Sequence, residues 1–365
     1  MHLSLNDAAW RCGVHESPIL SAAEMAEARA AIVAWPGYCP TPLRELPGLA
    51  AALGVANVAV KLEAERFAVG SFKALGPPLA LQRALNREGG AAGWRAVAAT
   101  SGNHGRALAW GARRLEAACT IYMPAHTSAG REAAIRGFGA EVVRVPGDFT
   151  ASLAVARQAA EADRTVLVAD LPWRGSDAIP RDILAGYSVL AAEIGQQVSE
   201  PPTHVFVAAG NGSLAGATAA RLWADFGPAG PQIVTVEPLA SDAVRRSLAA
   251  GAAVTVPEGE GSVMDGLVVR AVSTLAWPLL HACVAAGLAI DDAAAIATLR
   301  AAARGAWGDP ALCIGETGIA ALAGLVATCG DAGMRAALSL DASSRVIAIA
   351  CEGVTDRTVF GTLVA

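Results

Sequence analysis

Lysine is almost absent from this chain of 365 residues. Of the 28 basic residues, only Lys61 and Lys73 are lysines, and all the others are arginines. A guanidinium group provides positive charge, but it cannot form a Schiff base with an aldehyde. Any reaction of this protein that needs a side-chain primary amine must therefore use one of these two positions.

Charged and aromatic residues are also scarce, at 17% and 5% of the chain, whereas hydrophobic residues make up 54%. This composition excludes a disordered chain. The net charge is −5, and the basic residues form no cluster larger than short arginine pairs, so we expect no nucleic-acid partner. The length predicts two domains or one large α/β unit.

The seven cysteines are odd in number and have no zinc-ligand spacing, so we expect neither a metal site nor a disulfide framework. Residues 1–14 lack a basic start followed by an apolar run, so no signal peptide is predicted. Residues 273–290 are apolar enough to suggest a membrane span, but Pro278 and His281 favour a buried helix instead. A cytoplasmic protein with no membrane partner is expected.

Short β-branched or apolar runs alternate with alanine-rich helical stretches, which is typical of an α/β fold with a largely parallel sheet. The predicted strands are Val58–Leu62, Ala96–Ala99, Cys119–Met123, Glu141–Val145, Thr165–Ala169, His204–Ala208, Ile233–Val236 and Val346–Ala350. The predicted helices are Arg106–Glu116, Arg131–Phe138, Ala151–Ala162, Asp182–Ile194 and Ala215–Asp225. Open α/β sheets bind ligands at the carboxyl ends of their strands, so the loops there are the candidate sites.

The first candidate segment, residues 65–76, contains Lys73 just after a Gly70–Ser71 turn and at the predicted start of a helix. The helix N-terminus and the apolar Phe72 both disfavour the ammonium form, and a lysine nucleophile needs the neutral amine. A plain helix-capping turn with Ser71 as the cap would explain the same residues without any chemistry.

Two further segments each join a predicted strand to a predicted helix. Residues 99–106 offer hydroxyl and backbone N–H groups that suit a carboxylate or a phosphate, and Asn103 can bind a phenolate-type oxygen. Residues 205–216 contain a glycine-rich turn that suits a phosphate. The same turn approximates a dinucleotide fingerprint, with Glu237 near the place of a ribose-binding acid, so a nicotinamide-dependent oxidoreductase is an alternative.

The lysine, the asparagine loop and the glycine-rich turn follow one another in the order found in one enzyme family. From Thr41 to Asp356, the sequence resembles the pyridoxal phosphate enzymes of the tryptophan synthase β-subunit type, which have fold type II. Within that family it is most similar to the diaminopropionate ammonia-lyases. The residues that carry this similarity are Phe72–Gly76, Ala109–Trp110, Asp170 with Trp173, Gly186–Tyr187, Gly315–Gly318 and Glu352–Asp356.

The resemblance implies an α/β fold with two open, twisted, mostly parallel sheets flanked by helices, and a small domain inserted in a large one. Residues 1–92 and 183–365 would form the large domain, which binds the cofactor. Residues 93–182 would form the small domain, which carries the loop for the substrate carboxylate. The resemblance also implies a homodimer that acts on a small amino acid.

The same resemblance assigns roles to individual residues. Lys73 would form a Schiff base with pyridoxal 5′-phosphate, Asn103 would hold the cofactor's 3′-oxygen, and Cys351 would face its pyridine nitrogen. The cofactor phosphate would be bound by Gly210, Asn211, Gly212, Ser213 and Leu214. The substrate carboxylate would be bound by Ser101, Gly102, Asn103 and His104. Lys61 matches a lysine in a strand of the family, which implies a structural role.

The implied reaction is β-elimination of ammonia from 2,3-diaminopropionate, which gives pyruvate and ammonia. Lys73 would remove the α-proton, and Asp170 would orient or protonate the leaving β-amino group, because a carboxylate suits a cationic leaving group. Asp170 could instead be a simple turn residue before Pro172. The resembled ammonia-lyases carry an aspartate at the position of Ser101, where it is a candidate second base. Lys73, Asp170 and Ser101 are the predicted catalytic residues.

Two departures from the family pattern keep other functions open. A serine at position 101 is similar to serine and threonine dehydratases and to serine racemase, so a dehydratase of the same fold is the nearest alternative. Cys351 stands where the family usually has a serine or threonine, although a thiol is also a neutral partner for the pyridine nitrogen. A protein that binds pyridoxal phosphate without catalysis is a further alternative.

Overall fold

The computed structural model describes residues 1–8, 19–257, 259 and 261–365. Cys12 and part of the segment used to judge a signal peptide lie outside them. The strands are β1 (His2–Leu5), β2 (Leu43–Glu45), β3 (Asn57–Leu62), β4 (Arg95–Ala99), β5 (Ala118–Pro124), β6 (Glu141–Val145), β7 (Thr165–Leu167), β8 (His204–Ala208), β9 (Gln232–Pro238), β10 (Val284–Ile290) and β11 (Arg345–Ala350). The helices are α1 (Ala22–Val33), α2 (Pro47–Leu53), α3 (Gly76–Arg87), α4 (Asn103–Arg114), α5 (Ala129–Arg136), α6 (Phe149–Ala159), α7 (Ala178–Gln197), α8 (Ser213–Phe226), α9 (Ala243–Ala250), α10 (Trp277–Cys283), α11 (Asp292–Arg304), α12 (Ala320–Cys329), α13 (Ala332–Ala337) and α14 (Arg357–Val364).

All eight predicted strands and the five helices predicted between them are present. The prediction of one buried helix over residues 273–290 is wrong. Helix α10 covers only Trp277–Cys283, and β10 begins directly after it at Val284. All seven residues of β10 are buried, and the strand lies between β1 and β9. A strand covered on both faces has no polar alternation, so its pattern cannot be told from that of a buried helix. No helix in the described ranges is long and apolar enough to cross a membrane.

The chain divides into two compact units. Unit 1 comprises residues 1–24, 40–66 and 190–365 and contains a seven-stranded sheet in the order β1-β10-β9-β8-β11-β3-β2. Its five central strands are parallel, and the short strands β1 and β2 pair antiparallel at the two edges. Since β8 and β11 are parallel neighbours, the loops after Ala208 and Ala350 leave the same end of the sheet.

Unit 2 comprises residues 25–39 and 67–189 and contains a parallel four-stranded sheet in the order β6-β5-β4-β7. The loops after Ala99 and Leu167 therefore leave the same end of this sheet. Unit 2 contains more residues than 93–182, and α3 is among them. Helix α3 packs closely on α4: a Cβ on Gly111 would lie 2.7 Å from the Pro78 Cβ. The small domain of residues 93–182 stays a prediction about domain organisation.

Lys61, one of the two lysines, lies in a buried ionic network in unit 1. Its Nζ donates hydrogen bonds to Glu193 Oε2 and to the Thr41 carbonyl, both at 2.7 Å. The Arg66 guanidinium donates to both oxygens of Glu193, at 2.6 and 2.7 Å, and also pairs with Glu63. Burial lowers the pKa of Lys61, and the Glu193 charge opposes this change. This amine serves the fold and is enclosed, in agreement with the implied structural role.

Replacing Glu193 with glutamine is expected to lower the free energy of unfolding by about 3–5 kcal/mol, because two buried cations would lose their shared carboxylate. Urea unfolding measures this change. Glu161→Gln is the control, since the pair between Glu161 and Arg174 is exposed and contributes about 0–1 kcal/mol. Equal effects of the two substitutions would contradict the expected importance of the buried network.

Candidate active site

Lys73 lies in a short 3₁₀ turn, Phe72–Ala74, immediately before α3. The predicted cap, Ser71, accepts a hydrogen bond from the backbone N–H of Lys73 at 3.4 Å. The Lys73 amine lies 5.1 Å from the ring centroid of Phe72 and 5.4 Å from that of Tyr187. Lys73 is half-buried, whereas Lys61 is fully enclosed. Of the two lysines, Lys73 is thus the one whose amine can meet a small molecule.

The loop between β4 and α4 contains the residues predicted to bind the substrate carboxylate. The Thr100 hydroxyl accepts a hydrogen bond from the Gly102 N–H at 3.2 Å, which tightens the turn. Helix α4 then begins at Asn103, and among the described residues no side chain caps its N-terminus. A Cβ on Gly105 would lie 2.6 Å from Thr100 Cγ2, so the helix packs tightly against the loop. The exposed N–H groups of such a terminus suit a carboxylate.

His104 connects this loop with the end of β7. Its Nε2 lies 2.8 Å from the Val168 carbonyl oxygen, which can only accept, so Nε2 carries the proton. Burial lowers the pKa of His104, the Asp170 carboxylate opposes that change, and the Lys73 charge reinforces it. The ring is therefore neutral near pH 7. These electrostatic contacts place Lys73, His104 and Asp170 in one cluster within unit 2.

The loop that carries Asp170 is held by backbone and aromatic contacts. Trp173 and Ser176 exchange two backbone hydrogen bonds, at 3.1 and 2.9 Å. The guanidinium groups of Arg157 and Arg174 lie over the Trp173 ring, at 5.1 and 5.5 Å from its centroid, in cation–π geometry. The loop is thus anchored just beyond Asp170, which is half-buried beside the cluster.

In unit 1, the glycine-rich turn between β8 and α8 has the shape of a phosphate cradle. Gly212 has a φ of 84°, and a Cβ there would clash with Leu280. The Asn211 side chain accepts a hydrogen bond from the Ser213 N–H at 3.1 Å. Helix α8 begins at Ser213, and its N-cap residue, Gly212, has no side chain to offer as a cap. The N-terminus of a 14-residue helix behind two glycines fits a phosphate group.

Cys351 follows β11, is buried, and lies at the same end of the sheet as Gly210–Leu214. The segment Gly315–Gly318 packs directly on the residues that follow Cys351. The Gly315 N–H donates to the Glu352 carbonyl at 3.2 Å, and a Cβ on Gly318 would clash with that same carbonyl. The contact of Cys351 with a pyridine nitrogen stays a prediction.

Glu237 is not available as a ribose-binding acid. The side chain is fully buried at the end of β9, and it accepts hydrogen bonds from the backbone N–H groups of Val244 and Arg245 at 2.8 and 2.7 Å. Burial raises its pKa to about 8, and those two N–H groups oppose the rise. The carboxyl group is used to hold the start of α9, so the interpretation of Glu237 as part of a dinucleotide site is wrong.

The predicted site residues form two groups, one in each unit. Lys73, residues 101–104 and Asp170 belong to unit 2, and Gly210–Leu214 with Cys351 belong to unit 1. Tyr187 lies beside Lys73, but the sequence pattern alone assigns it no role. The signal that could have indicated it is the pair of glycines at positions 76 and 186: Gly76 leaves space for its ring, and Gly186 lets α7 approach the Leu75 backbone. No group of three His, Cys, Asp or Glu side chains within the described ranges could hold a metal ion.

A family model described as "Pyridoxal-phosphate dependent enzyme" matches residues 34–352. The chain belongs to this family. Pyridoxal 5′-phosphate is therefore its cofactor. In unit 1, the helix start behind Gly212 suits a phosphate, and in unit 2, the Lys73 amine suits an aldehyde. This finding favours the family's chemistry over the nicotinamide alternative.

Diaminopropionate ammonia-lyase of Escherichia coli is 31% identical over 361 residues, which is 93% of this chain and 91% of that protein. A structure of that enzyme in complex with an aminoacrylate-PLP azomethine reaction intermediate matches with a TM-score of 0.91, 29% identity, and coverage of 100% of this chain and 96% of that one. A biosynthetic L-threonine dehydratase of Pasteurella multocida is 31% identical over only 233 residues, 63% of this chain and 42% of that protein. The predicted family and the predicted α/β fold of type II are confirmed.

Proposed function

We propose that this protein is an ammonia-lyase that eliminates ammonia from 2,3-diaminopropionate to give pyruvate and ammonia. The observation that carries the proposal is the similarity to diaminopropionate ammonia-lyase over 93% of the chain. The electrostatic cluster of Lys73, His104 and Asp170 supports it, because a base and a carboxylate stand together beside an anion-binding turn. The Ser101 position still favours a serine or threonine dehydratase as the second candidate.

Lys73 is the residue proposed to hold the cofactor and then to act as the base. Bound pyridoxal phosphate supplies an electron-withdrawing ring, which acidifies the α-proton of an amino acid attached to it. The Lys73 Nζ, when it is not bonded to the cofactor, would accept that proton. The half-buried position of Lys73 beside two aromatic rings limits access of water to the amine.

The residues around Lys73 are proposed to bind and orient the substrate. Residues 101–104 bind its carboxylate through the N-terminus of α4, and Asn103 holds the cofactor's 3′-oxygen. His104 stays neutral because burial lowers its pKa, and the hydrogen bond from its Nε2 to the Val168 carbonyl orients the ring. Asp170 binds the β-ammonium group through its carboxylate and orients it, so that the group leaves as ammonia with the proton it already carries. The turn Gly210–Leu214 binds the phosphate, and Cys351 faces the pyridine nitrogen.

Pyruvate and ammonia release from 2,3-diaminopropionate, L-serine and L-threonine, measured with purified holoenzyme, tests the proposal. We expect kcat/KM for diaminopropionate to exceed that for either hydroxy amino acid by at least about tenfold, which corresponds to 1.4 kcal/mol of barrier. A preference for serine or threonine would support the dehydratase. Bound cofactor without turnover of any of the three would support the non-catalytic alternative.

Asp170→Asn is expected to lower kcat/KM for diaminopropionate by about 10²–10⁴-fold, the usual contribution of a general acid or base. The loss should be much smaller for L-serine, whose leaving hydroxyl is uncharged and gains little from a carboxylate. The two substrates serve as controls for each other in one variant. Equal losses of kcat/KM for the two substrates would show that Asp170 stabilises its own loop and does not contact the leaving group.

We also propose a cytoplasmic homodimer with no nucleic-acid partner. The net charge of −5 and the absence of a basic cluster in the sequence support the exclusion of nucleic acid. Residues 1–92 and 183–365 are proposed to bind the cofactor, and residues 93–182 to carry the substrate loop. Sedimentation velocity of the purified protein tests the dimer.

A further inference from the structure

The Tyr187 side chain is fully buried in unit 2, yet its hydroxyl has no hydrogen-bond partner of acceptable geometry within the described residues. Buried polar groups are nearly always satisfied, and an exception in a native fold needs a reason. Tyr187 is one of three tyrosines in the chain, and it lies on α7 opposite the turn that carries Lys73.

The Tyr187 ring is tightly packed against the start of α3. A Cβ on Gly76 would lie 2.5 Å from Tyr187 Cε1, and a Cβ on Gly186 would clash with the Leu75 carbonyl, so α7 and the residues before α3 are in close contact. The centroid of the Phe72 ring lies 4.8 Å from that of Tyr187. Because the side chain is fully buried among these groups, its hydroxyl has little freedom to reach a different partner.

Two buried groups on other elements, Tyr187 on α7 and His104 on α4, interact with the charge of Lys73. Both also interact with the charge of Asp170, which follows β7. Burial raises the pKa of Tyr187, and the negative charge of Asp170 adds to the rise. The positive charge of Lys73 and a polar contact between Lys73 and the hydroxyl oppose it. The phenol is therefore neutral at ordinary pH. The neutral His104 ring already donates its Nε2 proton to the Val168 carbonyl. The Tyr187 hydroxyl is also a neutral donor, and its hydrogen bond has no acceptor of acceptable geometry among the described residues.

We infer that the Tyr187 hydroxyl positions the Lys73 amine for proton transfer. The hydroxyl donates a hydrogen bond to the neutral amine when the amine is released, and it accepts one from the ammonium after the amine has taken the α-proton. The phenol keeps its own proton throughout, and the α-proton moves only from carbon to Nζ. Tyr187 is thus a positioning residue, and the inference rests on the part of the proposed function in which Lys73 is the base.

Tyr187→Phe removes only the hydroxyl. We expect kcat for ammonia release to fall by at least about tenfold, a fraction of what a general base contributes, with KM changed by less than about threefold. The melting temperature of the protein without cofactor should be unchanged or higher, since the lost hydroxyl is buried and unsatisfied. Tyr122→Phe is the matched control, because Tyr122 lies on β5 of the same unit and outside the cluster; it should leave kcat unchanged.

Exchange of the L-alanine α-proton in D₂O, followed by NMR, isolates the proton transfer, because alanine has no β-leaving group. Tyr187→Phe should slow this exchange by the same factor as ammonia release. Normal exchange, or a lowered melting temperature with both rates intact, would overturn the inference. If the wild-type enzyme exchanges alanine but releases no ammonia from diaminopropionate, the proposed substrate is wrong, and the exchange rates still decide the role of Tyr187.

Discussion

Lys73→Ala is expected to lower kcat/KM by at least about 10³-fold while the protein stays folded. The substitution removes both the covalent attachment of the cofactor and the base, and a base alone contributes about 10²–10⁴-fold. Lys73 is half-buried at a turn and does not belong to the buried ionic network around Glu193, so the free energy of unfolding should change little. Steady-state kinetics and circular dichroism measure the two effects.

Lys73→Arg is the matched control for charge. A guanidinium group keeps the positive charge beside Phe72 and Tyr187, but it cannot form the covalent bond to the cofactor. We expect it to be as inactive as the alanine variant. Activity of either variant above about a thousandth of wild type would show that another residue supplies the base.

The second large effect concerns the enantiomer of the substrate. Abstraction of the α-proton from either enantiomer requires a base on each face of the cofactor plane. Lys73 is proposed to supply one face, and the Ser101 hydroxyl is a far weaker base than the aspartate that the resembled ammonia-lyases carry there. We therefore expect kcat/KM for D-2,3-diaminopropionate to be at least about 10²-fold below that for the L-form.

Ser101→Asp should raise kcat/KM for the D-form selectively, because it adds a carboxylate at the start of the turn before α4. Ser101→Asn is the control, since the amide has nearly the same size and cannot accept the proton. Comparison of both enantiomers in the three proteins tests the assignment. Equal wild-type rates for the two enantiomers would contradict it, and would favour Asp170 as the second base.

The turns that carry the candidate site residues could be predicted because each one is a short continuous segment of the sequence. The loop 99–106 follows β4 and opens α4 in unit 2, and the turn Gly210–Leu214 follows β8 and opens α8 in unit 1. In each parallel sheet, such turns lie at the carboxyl ends of the strands. The scarcity of lysine narrowed the choice of nucleophile to two positions. The burial of Lys61 against Glu193 then leaves only Lys73 accessible.

The features that sequence could not predict depend on contacts between distant segments. The residues of β10 form an unbroken apolar run, and only its pairing with β1 and β9 makes it a strand. Glu237 lies at the end of a strand, where an acid could bind a ribose or cap a helix. In the structure, its carboxyl group accepts a hydrogen bond from the Val244 N–H at the start of α9. Tyr187 approaches Lys73 only because Gly76 allows α7 to pack against the start of α3.

Borohydride reduction of the holoenzyme, followed by tryptic peptide mapping, tests most directly that Lys73 holds the cofactor. Reduction makes the bond between lysine and cofactor permanent, and trypsin does not cleave after the modified lysine. We expect the cofactor mass on the uncleaved peptide Phe67–Arg83, in place of the two fragments that meet at Lys73. Cofactor mass on Lys61, on the N-terminal amine or on no peptide would contradict the account.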